Sequence, residues 1–142
     1  MDRRTPLPVT TTLLVCREVF EDKQTGEHAL IGPRTDFALP QFPFVVPAQV
    51  FAQLTSGHGS YQPSLELLDA EGTRVWHESW DRPFEAADPL ATYSLIFRVG
   101  MIFPRPGRYD LVFRLEGEEV GRRGLRAGQP SPPDVVELPP PE

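Results

Sequence analysis

Along most of the chain apolar and polar residues alternate with a period of two, which is the spacing of a strand with one buried face. The longest run is Phe42 to Thr55. Phe42, Phe44, Val46, Ala48, Val50, Ala52 and Leu54 fall on one face, and Pro43, Pro47, Gln49 and Gln53 on the other with Val45 and Phe51. Proline cannot donate to a ladder, so the first half of this run is expected at an edge or a bulge, with the strand proper starting near Ala48. Tyr93 to Phe103 alternates as cleanly: Tyr93, Leu95, Phe97, Val99, Met101 and Phe103 share a face, and Ser94, Arg98 and Gly100 lie opposite with Ile96 and Ile102. No segment of about ten or more residues carries a helical stripe.

Two stretches predict hairpins of one design. In the first, Gly59 to Trp80, two apolar runs flank the turn Asp69-Ala70-Glu71-Gly72. In the second, Gly107-Arg108-Tyr109 leads into Leu111, Phe113 and Leu115, the turn Glu116-Gly117-Glu118 and Val120. The first hairpin has two registers. A turn of about four residues sets Leu65 opposite Trp76 and Tyr61 opposite Trp80, whereas a turn of about three points Val75 and His77 inward. The first is preferred because it gives both indoles a dry place, each worth ~2–3 kcal/mol. Gly107-x-Tyr109 is also the pattern of a tyrosine corner, in which the phenol bonds back to nearby backbone and contributes about 1 kcal/mol. Tyr61, Gly107, Tyr109 and Cys16 are therefore assigned structural roles.

The remaining elements fill in around these. Residues 1–9 are expected as a flexible arm. A strand follows over Thr10 to Phe20, apolar on both faces and so central or covered on both sides. Next come a turn at Glu21–Gly26, a strand at Ala29–Ile31 ended by Gly32-Pro33, and a short strand near Phe37–Leu39. Asp81 to Pro89 is an acidic loop, and a last strand spans Glu119 to about Arg126. From Ala127 the chain turns to Gln, Ser and Pro, a composition that predicts a disordered or polyproline tail over 127–142. The fold expected for 10–126 is an all-β, immunoglobulin-like antiparallel sandwich of about eight or nine strands.

Cys16 on the first strand, Thr25-Gly26, Leu30-Ile31-Gly32, Phe42-Pro43, Gly59-x-Tyr61, Leu68-Asp69-x-x-Gly72 and Pro106-Gly107-x-Tyr109 occur in this order. In that order the chain resembles a family of small, uncharacterised bacterial and archaeal proteins classed as a domain of unknown function, over roughly residues 12–126. The resemblance implies a compact cytoplasmic β-sandwich and brings no catalytic residue. The Pro-rich tail and the Trp76–Trp80 segment depart from that pattern.

Composition narrows the function classes. The 142 residues carry a net charge of -6, which argues against nonspecific nucleic-acid binding, since that depends on phosphate neutralisation by Lys and Arg. One cysteine excludes an internal disulfide. No signal peptide and no apolar run of the ~18 residues a membrane helix needs is present, so the expected address is the cytoplasm without membrane contact.

Candidate chemistry is sparse. His28, His58 and His77 lack the close spacing of zinc ligands, and His77 and Glu78, being adjacent, point to opposite strand faces. Cys16 has no partnered base and is expected as an inert buried thiol. No nucleophile elbow or phosphate loop appears. No catalytic residue, cofactor or metal ligand is assigned. Trp76, Trp80 and Tyr61 could form an aromatic platform for a sugar or peptide, with core packing as the alternative. Arg122 and Arg123 make a basic edge that would equally block strand addition. The resulting expectation is a non-enzymatic protein-interaction or scaffolding module. Its contacts would be Trp76, Trp80, Asp81, Arg82, Arg122 and Arg123, the free sheet edges or the tail. Homo-oligomers could form through sheet edges. The alternative is a small-ligand or carbohydrate-binding domain using its aromatics. A remoter one is a hydrolase using His58 or His77.

Overall fold

The alternation of Phe42 to Thr55 becomes strand β5 (Phe44–Thr55), and its expected inner face holds: Val46, Ala48, Val50, Ala52 and Leu54 are buried. The computed structural model describes residues 6–129 and 136–141. Among them the chain is all-β, with no helix and eleven further strands. These are β1 (Val9–Cys16), β2 (Glu18–Glu21), β3 (His28–Ile31), β4 (Asp36–Ala38), β6 (Gly59–Tyr61), β7 (Pro63–Asp69), β8 (Arg74–Ser79), β9 (Phe84–Ala86), β10 (Tyr93–Phe103), β11 (Gly107–Leu115) and β12 (Glu118–Gly128).

Two larger sheets share one core. One has the order β1-β5-β10 and the other β4-β12-β11-β7-β8. Their inner faces supply Val50, Leu54, Met101 and Phe103 from the first and Leu65, Leu67, Leu111, Phe113 and Leu115 from the second, all with no measurable exposure. A side chain of this size buried completely contributes ~1.5–3 kcal/mol, so this double layer holds the fold together. Two ribbons complete it, β2-β3 and β6-β9. The β2-β3 ribbon packs on the outer face of the three-stranded sheet. The Val19 N–H donates to Gln49 Oε1 at 2.8 Å, and the His28 ring lies 5.3 Å from that of Phe51. This cover explains why Cys16 and Phe51 are buried although they sit outside the main core.

Several expectations need correction. Twelve strands replace the eight or nine expected, because the single strand foreseen over Thr10 to Phe20 breaks at Arg17, and because β6 and β9 form a ribbon of their own. Not every pairing is antiparallel: β4 runs parallel to β12, with Phe37 beside Ala127. Strand β5 starts at Phe44, ahead of Ala48. Pro47 is tolerated because β1 reaches only as far as Gln49, so this half of β5 has a partner on the β10 side alone. Of the arm expected over 1–9, residues 1–5 lie outside the described residues and Val9 belongs to a strand. Leu7 packs on the core, Pro8 is buried and Val9 opens β1. Strand β12 runs two residues beyond Arg126, to Gly128. The tail expectation falls partly on residues 130–135 and 142, outside the described residues. Residues 136–141 are exposed and belong to no strand.

The first hairpin takes neither foreseen register whole, and Trp76 stands opposite Leu67, not Leu65. The Asp69 N–H bonds the Thr73 carbonyl and Leu68 pairs with Arg74, which is the shorter turn. Val75 then bulges, so that Leu67 faces Trp76 and Leu65 faces Glu78. The extra residue restores the tryptophan face to the core. Tyr61 leaves this hairpin altogether and pairs with Phe84.

Both Gly-x-Tyr motifs do the same job. The Tyr109 hydroxyl bonds both backbone groups of Arg105. The Tyr61 hydroxyl accepts from the His58 N–H at 3.1 Å and lies 3.0 Å from the His58 carbonyl and 3.3 Å from that of Pro6. Gly59 and Gly107 sit at φ 135° and 149°, a backbone region that glycine enters at no steric cost. Each ring is buried and each hydroxyl fixes the loop that precedes its strand.

Candidate functional site

Strands β8 and β10 end their respective sheets on the same side of the molecule. An end strand presents unpaired backbone donors and acceptors, and proteins blunt it with charge, brevity or proline. Strand β8 is blunted. It has six residues, among them Arg74, His77 and Glu78, all exposed. Strand β10 is not. It has eleven residues, Arg98 is its one charge, and it contains no proline. Among the described residues no backbone bond reaches it except from β5.

The inner face beside this edge is only half covered. Met101 and Phe103 are fully buried, Phe97 nearly so, but Tyr93, Leu95 and Val99 are half-buried, as are Trp76 and Trp80. The Trp80 ring packs 4.6 Å from Phe97, which in turn lies 5.7 Å from Phe113. Both indoles thus face the core, as the preferred register required, but neither reaches the dry place expected of it. Among the described residues the β8 strand carrying Trp76 has no neighbour beyond it, and Trp80 lies past its end. On the outer face Ile96 is 39 % and Val45 54 % exposed. Val45 overhangs Gly100, where a Cβ would stand only 3.2 Å from its Cγ1. Arg98 lies between them, exposed, with no ionic or hydrogen-bond partner among the described residues.

The other residues singled out from the sequence scatter. Asp81 and Arg82 are exposed in the loop after β8, and the Asp81 carbonyl accepts from Gln62 at 3.2 Å. Arg122 bonds Glu119 at 2.8 Å and Asp110 at 3.0 Å. These carboxylates, Glu119 foremost, push its guanidinium pKa up, and Arg122 in turn holds Glu119 below the usual carboxylate range. Arg122 and Arg123 lie on the part of β12 that pairs with β11 alone, since β4 joins it only at Arg126, Ala127 and Gly128. Cys16 is fully buried, and burial pushes its thiol up, away from the reactive thiolate. His28, His58 and His77 stand on β3, on the loop before β6 and on β8. Among the described residues no three His, Cys, Asp or Glu side chains gather where they could hold a metal ion.

One polar cluster is structural. Asp69 is 7 % exposed, and its Oδ1 accepts the Glu71 and Thr73 N–H groups at 3.0 and 2.9 Å. Its Oδ2 takes Arg105 at 2.7 Å. The Thr73 N–H first, then those of Glu71 and the Arg105 guanidinium, hold this carboxyl below its ordinary pKa. The pair links the β7-β8 turn to the turn that follows β10.

Several open grooves are present, among them one of about 290 Å³ over His77, Trp80 and Asp81 and two of larger volume. One, of about 630 Å³, lies over the outer face of the five-stranded sheet among Asp36, Asp110, Gly124 and Arg126. The other, of about 650 Å³, lies beside the β2-β3 ribbon over His28, Phe51, Gln53 and Ser94. In the first, Arg126 pairs with Asp36 at 3.1 Å. In the second, the Phe51 ring is covered and only 3 % exposed.

Residues 11–128 match a family of unknown function (DUF6941), and the chain belongs to that family. No curated protein matches the chain. Among the described residues no helix is long and apolar enough to cross a membrane. Sequence reasoning named the sheet edges as contacts but did not find β10 or Arg98. The signal available was a long alternating run with a single charge.

Proposed function

We propose that this protein is a non-enzymatic protein-interaction module that takes up an extended segment of a partner along β10. We read its two main sheets as an immunoglobulin-like sandwich working in the cytoplasm. The observation that carries the reading is the contrast between the end strands on this side of the molecule: β8 is short and charged, β10 long, apolar and unguarded. Strand addition to such an edge draws affinity from main-chain hydrogen bonds and specificity from alternate side chains. A sugar platform on Trp76 and Trp80 finds less support, because one face of Trp80 is already used against Phe97.

The test is affinity capture with the full chain and with Ile96→Lys, followed by amide exchange on the captured complex. Lysine at a half-exposed outer position is expected to change stability by no more than about 0.5 kcal/mol while abolishing capture. The β10 amides are expected to exchange more slowly in the complex. A partner retained by Ile96→Lys, or one that leaves β10 exchange unchanged, overturns the reading.

A further inference from the structure

We infer that the segment β10 accepts is Val135–Leu138 of a second copy of this chain, exchanged reciprocally to close a dimer. The inference rests on the reading of β10 as an acceptor edge and names its occupant.

The donor is recognisable from its own chemistry. Val135-Val136-Glu137-Leu138 is a short run with two β-branched residues, set between Pro130, Pro132 and Pro133 on one side and Pro139, Pro140 and Pro141 on the other. Valine favours strands, and proline stops them. The run therefore favours an extended conformation and is bounded at both ends. Val136 is 80 % and Leu138 85 % exposed. Within the described residues neither has cover.

The pattern matches the acceptor residue by residue. Paired with β10 so that Glu137 stands beside Arg98, the segment sends Glu137 and Val135 to the outer face and Val136 and Leu138 to the inner one. Glu137 supplies the carboxylate that Arg98 lacks among the described residues. Val135 joins the exposed strip of Ile96 and Val45. Val136 and Leu138 enter the gap where Leu95, Val99 and Trp80 are half-buried. The alternation is the same for a parallel or an antiparallel approach.

The chain's own tail does not fill this place: Val136 and Leu138 stand exposed, and among the described residues β10 pairs with β5 alone, so the occupant comes from a second copy. Two copies that each donate a segment bury both edges, and a two-fold exchange of this kind closes on itself.

Sedimentation equilibrium of the full chain tests this, alone and as Arg98→Glu, Glu137→Arg and the double exchange. The native chain is expected to dimerise in the micromolar range. Each single reversal is expected to weaken the dimer by about tenfold, through like-charge opposition at the new edge. The double exchange is expected to restore it to within about threefold, since it rebuilds the pair in reverse. A chain that stays monomeric throughout that range, a dimer indifferent to both reversals, or one that the double exchange fails to restore overturns the inference. A monomer whose partner capture still depends on Ile96 would remove the tail as occupant and leave the acceptor edge standing.

Discussion

The two sheets approach each other on both flanks, but only one flank is sealed. On the β1 flank, β12 comes so close that a Cβ on Gly121 would lie 3.2 Å from Thr10 Cγ2 and 3.4 Å from Leu13 Cδ2. Leu13 is buried there, and the Thr10 hydroxyl is enclosed without a hydrogen-bond partner among the described residues. On the β10 flank two tryptophans and a row of aliphatic side chains stand between the sheets, and all stay half-buried. The difference shows how closure is set by side-chain size at the approach. A missing side chain at Gly121 lets β12 pack closely on Thr10 and Leu13, whereas on the β10 flank large side chains fill the approach and stay half covered.

The largest effect that would break this comparison is truncation on either flank. Leu13→Ala on the sealed side is expected to cost about 2–5 kcal/mol, because the site cannot collapse. Val99→Ala on the open side is expected to cost about 1 kcal/mol or less, since solvent already reaches it. Urea unfolding of both variants checks this, and equal losses would mean that the β10 flank is as closed as the other.

Filling the seal comes next. Gly121→Val is expected to destabilise by about 1–3 kcal/mol, as overpacking forces Thr10 and Leu13 away. Its unfolding midpoint measures the shift. A neutral result would show that β1 moves freely and that the glycine does not set the approach.

The third test uses pH to loosen one end of the open flank. The Asp69 carboxyl titrates below its unfolded value, so its stabilising contribution is fully present above the ordinary carboxylate pKa of about 3.9 and is lost as pH falls through the depressed folded value. Asp69→Asn is therefore expected to be less stable than the native chain at neutral pH. The gap should narrow as the medium becomes acidic and close below the folded pKa. Urea titrations across that range, with amide exchange on β8, read both effects. A gap independent of pH would mean that the Asp69–Arg105 contact does not act through charge.

By itself the sequence determined the faces and the local turns. The inward rows of β5, β10 and β11 were legible because alternation is a property of neighbouring residues and the pleat reads it directly. The tyrosine corner at Gly107-x-Tyr109 and the Asp69–Gly72 turn were legible for the same reason: each partner lies within a few residues. What a strand pairs with is decided at long range. The β6-β9 ribbon, the parallel join of β4 to β12 and the single-sided pairing of β10 join segments far apart in the chain, and a strand's own pattern looks alike at an edge and at a centre. The Val75 bulge belongs to this second group. Turn length left two registers open and tryptophan burial was the ground for choosing, but the chain takes the shorter turn and one inserted residue returns Trp76 to the inner face opposite Leu67. The β10 edge, where function is proposed, is likewise a product of tertiary structure, since it exists only because no described strand lies beyond it.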